Sequence, residues 1–339
     1  METRKLNSVK IRLPAQISSL QIAEVEEPST VPGTVKVRWR AVSLNFHDYA
    51  VASGMLPTED GRIPCSDAAG EVMEVGEGVT KWQVGDKVMS TFFPGWQEGA
   101  PEPVGTAELS GDSCDGYATQ CSVLPANVLT RMPDGYSYQE AATLPCAALT
   151  AWRALFEIGN IQPGDKVLIQ GTGGVSIFGL QLAKAAGAIV YATSSSKEKM
   201  QRLQDLGADY TLNYRENPDW GMAVFELAQG GVDHVLDVGG GLTLSQSIDA
   251  GKMGANLVLI GILGGLECQL NLAQLLLKQQ RLFPIAVGNH AMQDRMVDFL
   301  QQHRIQPVVD RTFPLTGIVD AFEHLLSGQH VGKVVLNVD

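Results

Sequence analysis

The stretch from Lys166 to Ser176 restricts this chain more than any other. Lys166-Val-Leu-Ile-Gln170 is a short apolar run of the kind that forms a buried strand, and it passes directly into Gly171-Thr-Gly-Gly-Val-Ser176. Val175 to Ala186 reads as an apolar helix. The alternation then continues: strand Ala188–Thr193, helix Lys197–Leu206, and further strands at Val232–Val238 and Asn256–Ile260. Parallel strands need helical crossovers that cover the sheet, so the pattern predicts an α/β fold with a doubly wound parallel sheet.

The glycine loop also carries a chemical expectation. Glycines between a strand and a helix let backbone approach a phosphate, and the helix N-terminus offers free N–H groups and a positive dipole end. Gly171 and Gly173 fill the first two places of a GxGxxG pattern; Gly174 is extra, and Ser176 holds the last place. Gly171, Thr172, Gly173, Gly174 and Val175 are therefore the expected phosphate cradle of a dinucleotide. The second strand runs into Ala192-Thr-Ser-Ser-Ser-Lys197. A cofactor with a free ribose 2′-hydroxyl favours an acidic residue here, and none occurs before Glu198. Ser194, Ser195, Lys197 and Lys199 suit a 2′-phosphate instead, so NADP(H) is preferred and NAD(H) remains possible. Ser195 or Ser196 would also cap the following helix.

The sheet-forming stretch is too short to account for 339 residues, and two domains are expected. Before Glu140 the chain reads as short strands broken by turns: Thr34–Val42 and Ala69–Gly76 alternate, and Val84-Gly-Asp-Lys-Val88 is a turn entering a strand. Thr91–Gly116 is a Pro/Gly-rich loop, and Ala141–Ile158 a helix. Twenty-five Lys and Arg against 37 Asp and Glu leave a net charge of −12, which disfavours nucleic acid and anionic membrane surfaces as partners. The longest apolar run, Leu257–Leu266, is about half of the ~20 residues a spanning helix requires. No secretory leader is read at the start, and the five scattered cysteines contain no CxxC, so a soluble, cytoplasmic protein with reduced thiols is expected.

The chain resembles the medium-chain dehydrogenase/reductase superfamily, in its zinc-free, quinone-oxidoreductase-like and alcohol-dehydrogenase-like branch. The resemblance rests on Val42-Ser-Leu-Asn-Phe-His-Asp48, Pro64-Cys-Ser-Asp-Ala-Ala-Gly70, Val75-Gly-Glu-Gly-Val-Thr80 and Gly85-Asp-Lys-Val88. It continues through Ala141–Trp152, the glycine loop, Asn213-Tyr-Arg215 and Gly332-Lys-Val-Val335. It implies a GroES-like β-rich catalytic domain over residues 1–148, a Rossmann NADP-binding domain over 149–288, and a return to the catalytic domain over 289–339. It also implies a cofactor in the cleft between them and a homodimer joined through the edge strand Phe283–Val287.

The resemblance to the zinc enzymes of that superfamily is partial. Their first catalytic ligand, a cysteine, falls on Asn45, their histidine on Ser66 beside Asp67, and only their second cysteine is kept, as Cys146. One soft ligand does not make a tetrahedral zinc site, so no metal is expected. The cofactor residues implied by the resemblance are Asn45, Thr150, Lys199, Tyr214, Gly239, Gly261, Ile262 and Lys333, the last facing the cleft. Asn45, His47, Tyr49 and Ser66 are the candidate donors near the nicotinamide. His47 is a candidate proton source, or else a histidine satisfied by Asp48 or a backbone carbonyl. Without a metal, hydride addition to a conjugated acceptor is easier than oxidation of a plain alcohol, because one donor suffices to steady an enolate. The expected activity is therefore zinc-independent, NADP(H)-dependent reduction of a quinone, enone or related carbonyl. The alternatives are a zinc-free NAD(P)-dependent dehydrogenase of an activated alcohol, and a non-catalytic NADPH-binding sensor.

Overall fold

The computed structural model describes residues 5–101 and 108–338, so residues 102–107 of the Pro/Gly-rich loop lie outside the described residues. The chain divides into two units: Met1–Leu149 with Gly288–Asp339, and Thr150–Val287.

The first unit is built on a seven-stranded sheet. Its order is Val309–Pro314, Lys333–Asn337, Thr34–Ser43, Asp67–Val75, Lys87–Met89 and Thr130–Arg131, with Cys121–Pro125 also paired to Thr34–Ser43. Strand Thr34–Ser43 buries every second side chain up to Ala41, the period a strand with one core face requires. Val35, Val37 and Trp39 on that face pack with Val72, Val88, Leu129 and Phe322. The return segment contributes its strand Lys333–Asn337 to the middle of this sheet, antiparallel to Thr34–Ser43. That pairing brings Lys333 to the segment just after Ser43.

The second unit is a six-stranded sheet, parallel throughout. Numbered in chain order, its strands are Lys166–Gln170, Ile189–Ser194, Tyr210–Asn213, Val232–Asp237, Gly251–Leu259 and Arg281–Pro284. Their spatial order is 3-2-1-4-5-6. The order reverses between the first and fourth strands, and such sheets bind ligands beyond the carboxyl ends of the strands at that switch. The Gly171 loop and the Gly239–Gly241 turn follow those two strands. The edge strand runs Arg281–Pro284, starting two residues before Phe283, and Ile285 N still donates to Leu259 O at 3.0 Å beyond it.

Ala141–Ile158 is helical, but not uniformly α. Tyr138–Ala141 and Leu149–Trp152 are α, whereas Leu144–Ala148 and Arg153–Ile158 wind as π-helix. Pro145 lacks the N–H an α-turn would use, and its ring crowds the carbonyl four residues back, so the coil widens there. Among the described residues no helix is long and apolar enough to cross a membrane, and no cysteine forms a disulfide.

Candidate active site

In the second unit, Gly171 takes φ +75°, which a side chain would strain, and no atom lies within 4 Å of a Cβ built at Gly171 or Gly173. The face of the loop is open. Gly173 is the N-cap of helix Gly174–Ala185, with no side chain capping it, so this end retains backbone donors for an anion. Ser194 ends the second strand. It is 1% exposed, and its Oγ has no hydrogen-bond partner. A buried hydroxyl without a partner costs free energy unless something supplies one. Ser196, not Ser195, caps the next helix, accepting from Lys199 N at 3.3 Å. Lys197 is exposed and Lys199 half-buried. Tyr214 donates its N–H to Ser194 O at 3.1 Å and leaves its ring 40% exposed.

The fourth strand ends on Asp237, a wholly buried carboxylate. Its Oδ1 accepts from Gly239 N (3.1 Å), Gly240 N (2.8 Å) and Thr243 Oγ1 (2.6 Å), and its Oδ2 from Ser247 Oγ (2.5 Å). These bonds fix the Gly239–Gly241 turn, and sequence reasoning missed the residue that makes them. Gly261 must be glycine because a Cβ there would lie 2.4 Å from Val238 O. Ile262 beside it is 51% exposed, and Thr150 is buried. An open glycine cradle, a buried hydroxyl without a partner and a fixed glycine turn at the switch point together fit a dinucleotide. Gly171–Val175, Ser194 and the Gly239–Ile262 turns would hold it.

In the first unit, Asn45 is the N-cap of helix Phe46–Ala52. Asp48 accepts Asn45 N at 2.7 Å through Oδ2 and Ser66 N at 2.9 Å through Oδ1, so it ties the helix start to the Cys65–Asp67 segment. Cys65 holds φ +76°, an uncommon conformation for a residue with a side chain. The Asn45 amide then makes three contacts. Its Nδ2 donates to Ser66 Oγ (3.1 Å) and Asp67 Oδ2 (2.9 Å), and its Oδ1 accepts from Lys333 Nζ. Lys333 also donates to Leu44 O at 2.6 Å, and it is only 4% exposed. Asp67 Oδ2 takes a further bond from Cys146 N at 3.2 Å, an N–H in the first π-wound stretch. Asp67 Oδ1 has no partner.

Burial pushes the Asp67 carboxyl up to about 7, although the Lys333 ammonium opposes the rise. Burial likewise raises Asp48, against His47 and the bonds it accepts. The cluster is thus a buried cation and two buried carboxyls joined by one amide.

Several expectations change here. Lys333, expected among the cofactor residues, is buried and bonded within the first unit. Asn45 offers no donor to a substrate, because both amide hydrogens are committed to Ser66 and Asp67. Ser66 belongs to the cluster but is fully buried. Tyr49 turns away, its ring 6.4 Å from Phe322 and packed on the core. His47 meets neither Asp48 nor a carbonyl. Its Nε2 lies 3.1 Å from Asp112 Oδ2, off the hydrogen-bond axis, and its ring packs edge-on against Phe92. Nothing in the sequence pairs positions 47 and 112.

A zinc ion does not fit these donors. Oδ1 of Asn45, at the place of a cysteine ligand, already carries an ammonium. Among the described residues no group of three or more His, Cys, Asp or Glu is placed to hold a metal.

Comparison with known proteins gives two family matches: an alcohol dehydrogenase GroES-like domain over residues 31–134 and a zinc-binding dehydrogenase domain over residues 174–302. A zinc-type alcohol dehydrogenase-like protein of Schizosaccharomyces pombe is 39% identical over 330 residues, covering 94% of this chain and 95% of its own. A solved NAD-dependent alcohol dehydrogenase is 30% identical with a TM-score of 0.91, over 98% of this chain and 100% of its own. The crotonyl-CoA carboxylase/reductase AntE, solved with NADP, is 25% identical with a TM-score of 0.87, over 98% and 95%.

Proposed function

The chain belongs to the alcohol-dehydrogenase-like branch of the medium-chain dehydrogenase/reductase superfamily, and from that premise we propose that it is a zinc-independent, NADP(H)-preferring reductase of quinones, enones or related carbonyls. As a member of that superfamily it is a nicotinamide-dependent oxidoreductase. The observation that carries the finer reading is the bond from Lys333 Nζ to Asn45 Oδ1, which fills a place where the zinc enzymes carry a ligand. Without a Lewis acid to take the charge of an alkoxide, a conjugated acceptor is the easier substrate. A relative named for crotonyl-CoA, a conjugated acyl thioester, supports the same class.

The cofactor supplies the hydride. The chain's residues bind it, hold the acceptor and provide a proton. Of the four candidate donors, Asn45 is committed, Ser66 is buried and Tyr49 is packed on the core. His47 is left, with 26% of its side chain exposed and no hydrogen bond at Nδ1 among the described residues. Asn45, Asp48, Ser66, Asp67 and Lys333 form the rigid floor that sets its helix.

Ser194 supports NADP(H): its buried hydroxyl can donate to a 2′-phosphate, and a carboxylate in its place would repel one. A charge-assisted hydrogen bond is worth ~1.5–3 kcal/mol, or roughly ten- to a hundredfold in affinity. NADPH should therefore bind more tightly than NADH, and Ser194→Asp should reverse the preference by about that factor. The test is binding of both cofactors to both proteins, with turnover on a panel of quinones, enones, aldehydes and alcohols before and after chelation. Equal affinity for the two cofactors sinks the cofactor assignment. A plain alcohol as best substrate, or activity lost on chelation, sinks the reaction assignment.

We further take the active form to be a homodimer. Strand Arg281–Pro284 is the open edge of its sheet, and beside it helix Leu272–Leu277 buries no residue, with Leu272, Leu276 and Leu277 68–75% exposed. Such an edge and patch call for cover. Light scattering at micromolar concentration should report twice the 36.4 kDa chain mass; a monomer there would refute it.

A further inference from the structure

We propose that Asp112 is a positioning residue that acts through His47, holding the imidazole so that it delivers the proton completing reduction of a conjugated carbonyl. The inference rests on the reductase reading above and extends it to a residue outside every motif.

The geometry points to Asp112 over the nearer Asp48. Asp48 sits next to His47 in the chain, but both its carboxylate oxygens are committed to backbone N–H groups. Asp112 Oδ2 lies 3.1 Å from His47 Nε2, and the carboxylate is only 21% exposed. Phe92 packs its edge against the imidazole, with ring centroids 5.5 Å apart. The ring thus lies between a carboxylate and an aromatic wall, with Nε2 on the side of the carboxylate.

The segment bearing Asp112 is anchored to the same backbone that carries Ser66. Gly116 N donates to Ile63 O and Tyr117 N to Cys65 O, each at 2.8 Å. A Cβ at Gly111 would lie 2.8 Å from Cys65 N, and one at Gly116 would lie 2.1 Å from Cys65 O. Glycine is required at both places for this close approach, and it fixes the height of Asp112 over the helix start. Ser110 Oγ is bonded to Tyr117 OH at 3.0 Å, which closes the loop on itself. These restraints explain how a loop residue holds a histidine on a helix 65 positions earlier.

In the reaction, the β-carbon of the acceptor gains hydride from the reduced cofactor, and the displaced electron pair moves to oxygen. The α-carbon then takes the proton from His47. The imidazole N–H bond breaks, neutral imidazole remains, and water returns the proton. The acceptor is reduced by two electrons and the cofactor oxidised by two. A carboxylate 3.1 Å from Nε2 restrains the ring and sets which nitrogen lies on its side.

The test uses cyclohex-2-enone, whose α-carbon must be protonated, and 1,4-benzoquinone, whose oxygens exchange protons with water unaided. His47→Gln should lower kcat for the enone about a hundredfold, and Asp112→Asn about tenfold, with KM nearly unchanged. Asp112→Glu should recover part of the loss, and the double variant should be no slower than His47→Gln alone, because both act through one group. Benzoquinone turnover should fall much less than enone turnover, because its oxygens take protons from water. If Asp112→Asn does not fold, Asp112→Ser carries the same expectation. The inference is overturned if the two losses multiply, if only KM moves, or if both acceptors slow equally. Failure of the wild-type chain to reduce either acceptor would instead overturn the reductase reading, and this inference with it.

Discussion

Replacing Lys333 by methionine is expected to cost the first unit ~3–5 kcal/mol, the usual cost of removing one member of a buried charged network. Methionine nearly matches the length and volume of the lysine stem, so the loss reports the ammonium and its bonds, not a cavity. Two buried acceptors, Leu44 O and Asn45 Oδ1, lose their donor together. Asp48 and Asp67, both already raised by burial, lose the cation that favours their ionised forms. For a unit of about 200 residues, that loss lowers Tm by roughly 10 °C. Thermal denaturation at neutral pH measures it. A second change discriminates the cause: Asp67→Asn added to Lys333→Met should recover part of the loss at a pH well above 7, where the carboxylate ionises without its counter-ion. A Tm within ~2 °C of wild type for the single variant would show that Lys333 is not the counter-ion argued here.

The parts of this molecule that could be read in advance are those governed by local periodicity. Strand Lys166–Gln170, the glycine loop and the alternation that follows carry their own spacing, and the parallel sheet follows from them. The end of the second strand could be read too, to within one residue of Ser194. The Asn45 cluster could not. Lys333 reaches Asn45 only because strand Lys333–Asn337 inserts beside Thr34–Ser43, a pairing across nearly the whole chain. The resemblance singled out Lys333, but nothing near it in sequence shows that Leu44 O and Asn45 would take its ammonium. The π-wound segments were hidden for a different reason: apolar spacing near 3.6 does not report a local widening, and only Pro145 hinted at one. Asp112 sits in a loop with no periodicity, and loop residues are placed by anchors such as Gly111 and Gly116, whose close approach to Cys65 appears only in three dimensions.

The same cluster should give the protein a pH-dependent stability that one amide substitution removes. The Asp67 carboxyl lies at about 7 in the folded chain, against an ordinary 3.8, and desolvation is the largest cause. A raised folded value means that the folded state holds the proton more tightly than the unfolded one. Stability from this group is therefore intact below about pH 4, falls as pH rises, and reaches its full penalty above about 7. The size of that penalty is on the order of 4 kcal/mol. Asp67→Asn should abolish it without losing bonds. Oδ2 accepts both hydrogen bonds, from Asn45 Nδ2 and Cys146 N, while Oδ1 has no partner. An amide with its oxygen at the Oδ2 place keeps both acceptor contacts and carries no charge. The variant and the wild type should therefore have similar stability near pH 4. Their difference should open between about pH 4 and 7 in favour of the variant and level off above that, as read from denaturant midpoints at each pH. Other titrating groups contribute equally to both proteins, so the difference isolates Asp67. A difference that stays flat across this range would mean that the carboxylate is ionised throughout, held by Lys333 more strongly than burial opposes it.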